Sequence, residues 1–446
     1  MERIILSEEQ SQAIEKVKEF LNSKEIAFSI TGAAGTGKTS IMNYLYDELK
    51  NELPIRFCAP THKAKLVLQR ATNQEAITLH SLLALTPNLD IFDLDFRDLL
   101  FKSNSTKMEI PRYGLVICDE ASMINDDLFK ILIQKCSERN TKICFISDSA
   151  QLMPVKSDNI SLVYQLPFHF NLSKIYRQSE KNALMGTLET LRDVSIDEFD
   201  TCIGEDGSLF CESDSTTFLA NYIKHLKKAI ANSDILETKL TAYTNARVNQ
   251  FNRIIKNALF KNEYNKFEFI TGCENFEFGD LKFYNSMDYI ICSDPVKKDI
   301  IIPYFGTLPG WDIELYDPAD DVSEHVSILS KDVSEDYRFS LAYTIEDLRL
   351  SAIKDKSRNK AKKWGMYYKL IKSFATPFDL LVDGRIIKKQ TFVEGYACTV
   401  HRLQGSTYNN IFVDMKNINT CIDDRVRRQL QYVALSRTRS DAYILQ

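Results

Sequence analysis

Glycine is scarce in this chain, with 15 in 446 residues, about half the usual ~7%. That excludes collagen-like and low-complexity chains. No run approaches the ~18 consecutive apolar residues of a membrane helix. The first eight residues, Met1-Glu2-Arg3-Ile4-Ile5-Leu6-Ser7-Glu8, lack the apolar core of a secretion signal. The ten cysteines contain no C-x-x-C pair, and the nearest two are Cys136 and Cys144. That spacing excludes a zinc ribbon and a small disulfide framework, and it leaves reduced thiols as the expectation. A cytoplasmic protein with no membrane attachment is expected. A basic excess is also missing. Lys and Arg number 56 against 61 Asp and Glu, a net charge of −5, which by itself argues against a nucleic-acid binder.

What is present is ordinary in bulk and specific in detail. Hydrophobic residues are 44% and charged residues 26%, as in soluble globular proteins. The length suggests about three domains. Short apolar runs at 26–31, 55–59, 115–119 and 143–147 alternate with amphipathic stretches. Such alternation implies a parallel sheet with crossover helices, hence an α/β fold. The pattern resumes at 240–244, 397–400, 411–414 and 442–445, which predicts a second α/β domain with an interruption. Charge within the interruption is segregated: 312–336 holds nine acids and one base, and 349–389 holds twelve bases and three acids. Trp364, Tyr367, Tyr368 and Phe374 interleave with those bases. The stretch reads either as a solvated amphipathic helix or as a nucleic-acid contact, with Trp364 as a stacking candidate.

Three of the few glycines fall within six residues. Gly32-Ala33-Ala34-Gly35-Thr36-Gly37-Lys38-Thr39 fits G-x-x-x-x-G-K-[ST], after a predicted strand and before a predicted helix. Glycines let backbone amides wrap phosphates, and the helix N-terminus adds positive potential. Gly32, Gly35, Thr36 and Gly37 would form this cradle. Lys38 would reach the β and γ phosphates, and Thr39 would hold Mg²⁺. The run Val116-Ile117-Cys118-Asp119-Glu120 ends an apolar strand in two carboxylates. Asp119 suits the Mg²⁺ shell, and Glu120 suits deprotonation of an attacking water. ATP and Mg²⁺ are therefore the expected ligands.

Further segments add a family signature. Ala59-Pro60-Thr61-His62-Lys63-Ala64 follows the second strand, and Thr78-Leu79-His80-Ser81-Leu82 follows the next helix. Then come Asp148-Ser149-Ala150-Gln151-Leu152, Ile175-Tyr176-Arg177-Gln178, Ala397-Cys398-Thr399-Val400-His401-Arg402-Leu403-Gln404-Gly405 and Tyr432-Val433-Ala434-Leu435-Ser436-Arg437. In this order the set resembles superfamily-one DNA helicases, and within them the RecD-like, 5′→3′ branch. One departure is Ser147 before Asp148, where the family usually has Gly.

The resemblance implies two tandem RecA-like P-loop domains with ATP between them. The first domain would be 1–190, with an insertion at about 87–111 carrying a strand-splitting pin. The second would be 191–264 plus 391–446. An accessory insertion at 265–390 would form an SH3-like barrel and a protrusion. Gln10 would read adenine, and Gln151 would contact the γ-phosphate and water. Arg177 and Arg437 would complete catalysis from across the cleft. Pro60, Thr61, His62, Thr78, His80, Thr399 and His401 would line the single strand, and three of the six histidines fall among them. Thr244 and Asn245 open the next helix and could cap it and grip phosphate together. Phe92, Phe96 and Phe101 are wedge candidates, with Phe96 taken as representative.

The expected activity is ATP-dependent 5′→3′ translocation on single-stranded DNA with duplex unwinding, in replication or recombination. The alternative is a DNA-stimulated ATPase that displaces proteins without separating strands. A nucleotide kinase would explain the P-loop alone and leave the C-terminal segments without a role. Expected partners are single-stranded DNA, duplex/single-strand junctions, and single-strand-binding or replication proteins. The expected state is a monomer, in a host cytoplasm if phage-encoded.

Overall fold

A computed structural model describes residues 6–98, 100–112, 114–152, 161–174, 182–278 and 281–446. Two all-parallel sheets and one antiparallel sheet organise them. In the first sheet the strands lie in the order Ala76–Thr78, Ile55–Ala59, Leu115–Cys118, Lys142–Ser147, Ala27–Gly32 and His169–Leu172. Four of these are the apolar runs of the sequence. The two edge strands are only three and four residues long, too short to show as runs.

Both faces of the first sheet are covered, so its strands read as continuous apolar stretches. Along Lys142–Ser147, Cys144 and Ile146 face one core with Phe20, Phe28, Ile41 and Phe57. Ile143 and Phe145 face the other core with Leu79, Leu82, Phe129 and Leu132. The second sheet runs Ala397–Thr399, Thr238–Ala242, Asn410–Asp414, Ala442–Leu445 and Leu209–Glu212. It bears out the resumed pattern and adds Leu209–Glu212 at one edge.

The third sheet is antiparallel. Its long strand Gly306–Asp317 pairs with Val296–Ile302, Asp288–Ile291 and Val322–Leu329. Phe269–Gly272 and Phe392–Glu394 complete it. A buried ion pair joins it to the second sheet: Lys239 Nζ lies 2.9 Å from Asp288 Oδ2 and also donates to the Gly395 carbonyl. Burial opposes ionisation of Asp288, yet Lys239 and Lys63 together hold its pKa below the usual value.

The basic run 349–389 is not one patch. Lys363 pairs with Asp355, Lys372 with Glu277 and Lys388 with Glu274. Arg349 is buried against Glu346 and donates to the carbonyls of Leu89, Ile91 and Phe92. It thereby docks the 87–111 stretch, with its hairpin of Leu85–Pro87 and Phe101–Ser103, on the helix Glu335–Lys354. Among the described residues no helix is long and apolar enough to cross a membrane.

Arg349→Met leaves Glu346 buried, with only the more distant Arg385 at 3.8 Å. Breaking a buried pair costs about 3 kcal/mol. The variant is expected to melt earlier and to be cleaved faster within 88–107 by limited proteolysis.

Candidate nucleotide cleft and nucleic-acid track

Loops leaving the C-terminal ends of the first sheet carry most of the candidate nucleotide-binding residues, where open α/β sheets bind ligands. The strand Ala27–Gly32 feeds the phosphate loop, and the helix Lys38–Leu49 leaves it. Gly37 caps that helix at φ 83°, a left-handed conformation. A Cβ there would lie 2.0 Å from Gln10 Nε2. Gln10 closes a capping box with Ser7 on the helix Glu8–Leu21, and its Nε2 donates to the Thr36 carbonyl at 3.1 Å. Its carboxamide thus props the phosphate loop. Lys38 Nζ donates to the carbonyls of Gly32 (2.7 Å) and Ala33 (2.9 Å). Gly35 is also left-handed, at φ 88°, and the Thr36 hydroxyl donates to Ala33 O at 3.0 Å.

Thr39 stands in the first turn of the helix, and Asp119 follows the strand Leu115–Cys118. Burial and the neighbouring Glu120 push the Asp119 carboxyl up to about 7, against the pull of Lys38 and Arg437. No group of three His, Cys, Asp or Glu suited to a metal occurs among the described residues. A hydroxyl and one carboxylate nevertheless suit Mg²⁺, which keeps waters and phosphate oxygens as its other ligands.

Glu120 is a non-glycine residue at φ 51°, a conformation that costs about 1–3 kcal/mol and clusters at functional sites. Its Oε1 lies 3.6 Å from Arg437 Nη1. Arg437 ends the helix Asp424–Ser436, and its Nε is buried without a partner. Gln151 Oε1 is likewise buried and unpartnered. Buried polar groups without partners call for an explanation, and an absent ligand is one. Arg177 lies outside the described residues. Sequence reasoning passed over Tyr432, whose hydroxyl accepts from Ala34 N and donates to Asp148 Oδ2.

The residues expected along a nucleic-acid strand fall into three groups. Thr61, Thr78 and Thr244 are N-caps, accepting from Ala64 N, Ser81 N and Arg247 N. Their hydroxyls are engaged, and their service is to aim helix N-termini outward. Thr399 opens Val400–Leu403 without a capping bond, Asn245 is exposed, and Pro60 and His401 are partly buried.

His62 stacks on Tyr284 with ring centroids 3.6 Å apart, a partner that no motif announced. Burial, with Lys65, His80 and Lys282 nearby, lowers the His62 pKa to about 4. His80 meets Phe101 edge-on at 5.0 Å. The segments around His62 and His401 meet, since Lys63 Nζ reaches the Tyr408 hydroxyl at 3.2 Å. Phe96 N donates to Ile386 O, and Trp364 packs half-buried beside Tyr367 and Tyr368. Phe92 is the more exposed wedge candidate, at 53%.

A P-loop sheet facing an arginine from a second parallel sheet defines a nucleotide-hydrolysing motor. Family comparisons agree: an AAA domain matches residues 5–203, and a UvrD-like helicase C-terminal domain matches residues 394–445. The chain is 26% identical to the ATP-dependent DNA helicase dda of Enterobacteria phage T4, over 98% of each chain. It is 29% identical to the ATP-dependent RecD2 DNA helicase of Deinococcus radiodurans, over 40% of this chain and 23% of that one. Among solved structures, Pif1 helicase from Candida albicans superposes with a TM-score of 0.52 at 17% identity, covering 100% of this chain and 95% of that one. Pif1 helicase from Bacteroides, in complex with ADP-AlF3 and ssDNA, gives 0.51 at 17%, covering 99% and 92%. The chain resembles superfamily-one DNA helicases, over 98% of its length in the phage protein and over 40% in the RecD2 protein.

Two outcomes follow from the geometry. Left-handed strain and the collision with Gln10 should make Gly37→Ala bind a fluorescent ADP analogue about tenfold more weakly or worse. The ring protons of His62 should titrate near pH 4 by NMR. Its ring would then be neutral throughout the physiological range, and a midpoint near the ordinary ~6.5 would mean that it stands in solvent.

Proposed function

We propose that the protein is an ATP-dependent DNA helicase that translocates 5′→3′ on single-stranded DNA and opens duplex ahead of it. The observation that carries the reading is the meeting of Glu120 and Arg437 across two parallel sheets, 3.6 Å apart, beside an intact phosphate loop. In this reading residues 1–190 form the first motor domain, and 191–264 with 391–446 form the second. Residues 265–390 form the accessory insertion, and 87–111 supply the pin. Monomeric action and contact with single-strand-binding or replication proteins belong to the same proposal.

The phosphate-loop amides and Lys38 hold the phosphates. Thr39 and Asp119 would hold Mg²⁺, which when bound neutralises charge between phosphate oxygens. Glu120 accepts a proton from the attacking water at its carboxylate, and Gln151 orients that water. Arg437 and Arg177 meet the charge that spreads over the transferred group. Because Arg437 comes from the second sheet, a filled cleft favours the closed arrangement, and hydrolysis withdraws that preference. Pro60, Thr61, His62, Thr78 and His80 on one half, with Thr244, Asn245, Thr399 and His401 on the other, grip the strand alternately through amides and short polar groups. Phe96 and Trp364 serve the junction.

The deciding assay uses duplexes with either a 5′ or a 3′ single-stranded tail. Unwinding of the 5′-tailed duplex alone, dependent on ATP, is expected. Unwinding from the 3′ tail alone overturns the polarity. Intact duplexes with DNA-stimulated hydrolysis favour protein displacement instead. Lys38→Ala should abolish hydrolysis. Arg437→Ala should lower turnover by about 10³ or more while nucleotide binding is largely kept.

A further inference from the structure

Tyr432 lies on the helix Asp424–Ser436, which ends at Arg437, and is 2% exposed. Its hydroxyl accepts from Ala34 N at 3.3 Å and donates to Asp148 Oδ2 at 2.8 Å. One oxygen thus touches the phosphate loop, the loop leaving the strand Lys142–Ser147, and the helix of the catalytic arginine. The other oxygen of Asp148 accepts from Ala150 N at 3.0 Å, beside Gln151. Burial and Asp148 raise the Tyr432 pKa, so the phenol remains a donor.

We infer that Tyr432 is a positioning residue that passes the state of the phosphate loop to Gln151 and Arg437. The two bonds of its hydroxyl are unequal. The bond from Ala34 is long and joins neutral groups, whereas the bond to Asp148 is short and ends on a carboxylate. A phosphate oxygen in the loop is a stronger acceptor for the Ala34 amide than a phenol is. An occupied loop therefore withdraws that amide and leaves Tyr432 held by Asp148 alone. Occupancy thereby becomes a change in how the arginine helix is seated, with no contact between Tyr432 and nucleotide required. The role deepens the ATPase reading of this cleft and rests on it.

Tyr432→Phe removes one oxygen and keeps the ring. DNA-stimulated ATP hydrolysis should show kcat lower by about tenfold, with KM for ATP and affinity for ADP within about twofold. Asp148→Asn should lower kcat similarly. The double variant should be no worse than the less active single variant, because both changes act on the bond between Tyr432 and Asp148. Assays run below the melting temperature of every variant keep the cycle readable if one of them is less stable. An unchanged kcat in Tyr432→Phe, or losses that multiply in the double variant, overturns the assignment. A wild-type protein that hydrolyses no ATP overturns the ATPase reading itself.

Discussion

The site depends on where parallel strands end. A parallel sheet sends all its strand-to-helix loops to one edge, and in both sheets such loops carry candidate residues. The first supplies the phosphate loop, the Asp119-Glu120 turn, the 148–152 loop and the segment after Ala59. The second supplies Thr244, Thr399 and the segment through His401. Arg437 ends the helix that precedes the strand Ala442–Leu445, at the other edge of that sheet. No single loop needs to be long or glycine-rich to reach the chemistry. That is how a chain with 15 glycines builds a phosphate cradle, spending them where a Cβ would collide, as at Gly32 and Gly37.

Packing and polarity divide the labour. The sheets are held by apolar cores on both faces, whereas several contacts between halves are polar and specific. Lys63 reaching Tyr408 is one, and Gln404 Nε2 donating to Leu152 O at 3.2 Å is another. Gly405 sits so close to Ala64 that a Cβ would meet its backbone at 3.1 Å. Such contacts fix register without burying enough apolar surface to freeze it. The second and third sheets are joined differently, by Lys239 and Asp288 fully enclosed, where loss of either partner strands a buried charge.

Much of this was legible in the sequence because it was local. The central strands are apolar runs, and the phosphate loop is eight contiguous residues. What was not legible is what distance creates. The +9 of 349–389 was counted along the chain, yet Lys372 and Lys388 are neutralised by Glu277 and Glu274, acids 95 and 114 positions away. The third sheet has no such simple sign. Val296–Ile302 exposes most of its length, with only Ile300 and Ile302 buried, so period and hydropathy are both weak there. Three of the threonines expected along a strand, Thr61, Thr78 and Thr244, also cap helices, a role their S/T-before-helix position already permitted. Tyr284 against His62 and Tyr432 against Asp148 lie 222 and 284 positions apart, and no spacing rule joins them.

The side chain of Leu152 is enclosed in the core of the second sheet, among residues such as Leu184, Leu403 and Leu430, although its loop begins at the end of a strand of the first. It acts as a leash. Withdrawing a buried leucine costs about 1.5–3 kcal/mol, so small separations of the two sheets stretch the loop before they free it. The 148–152 loop must then follow the second sheet through part of any excursion and be pulled home afterwards. Any opening of the cleft would therefore work against an anchor that lies well behind the chemistry.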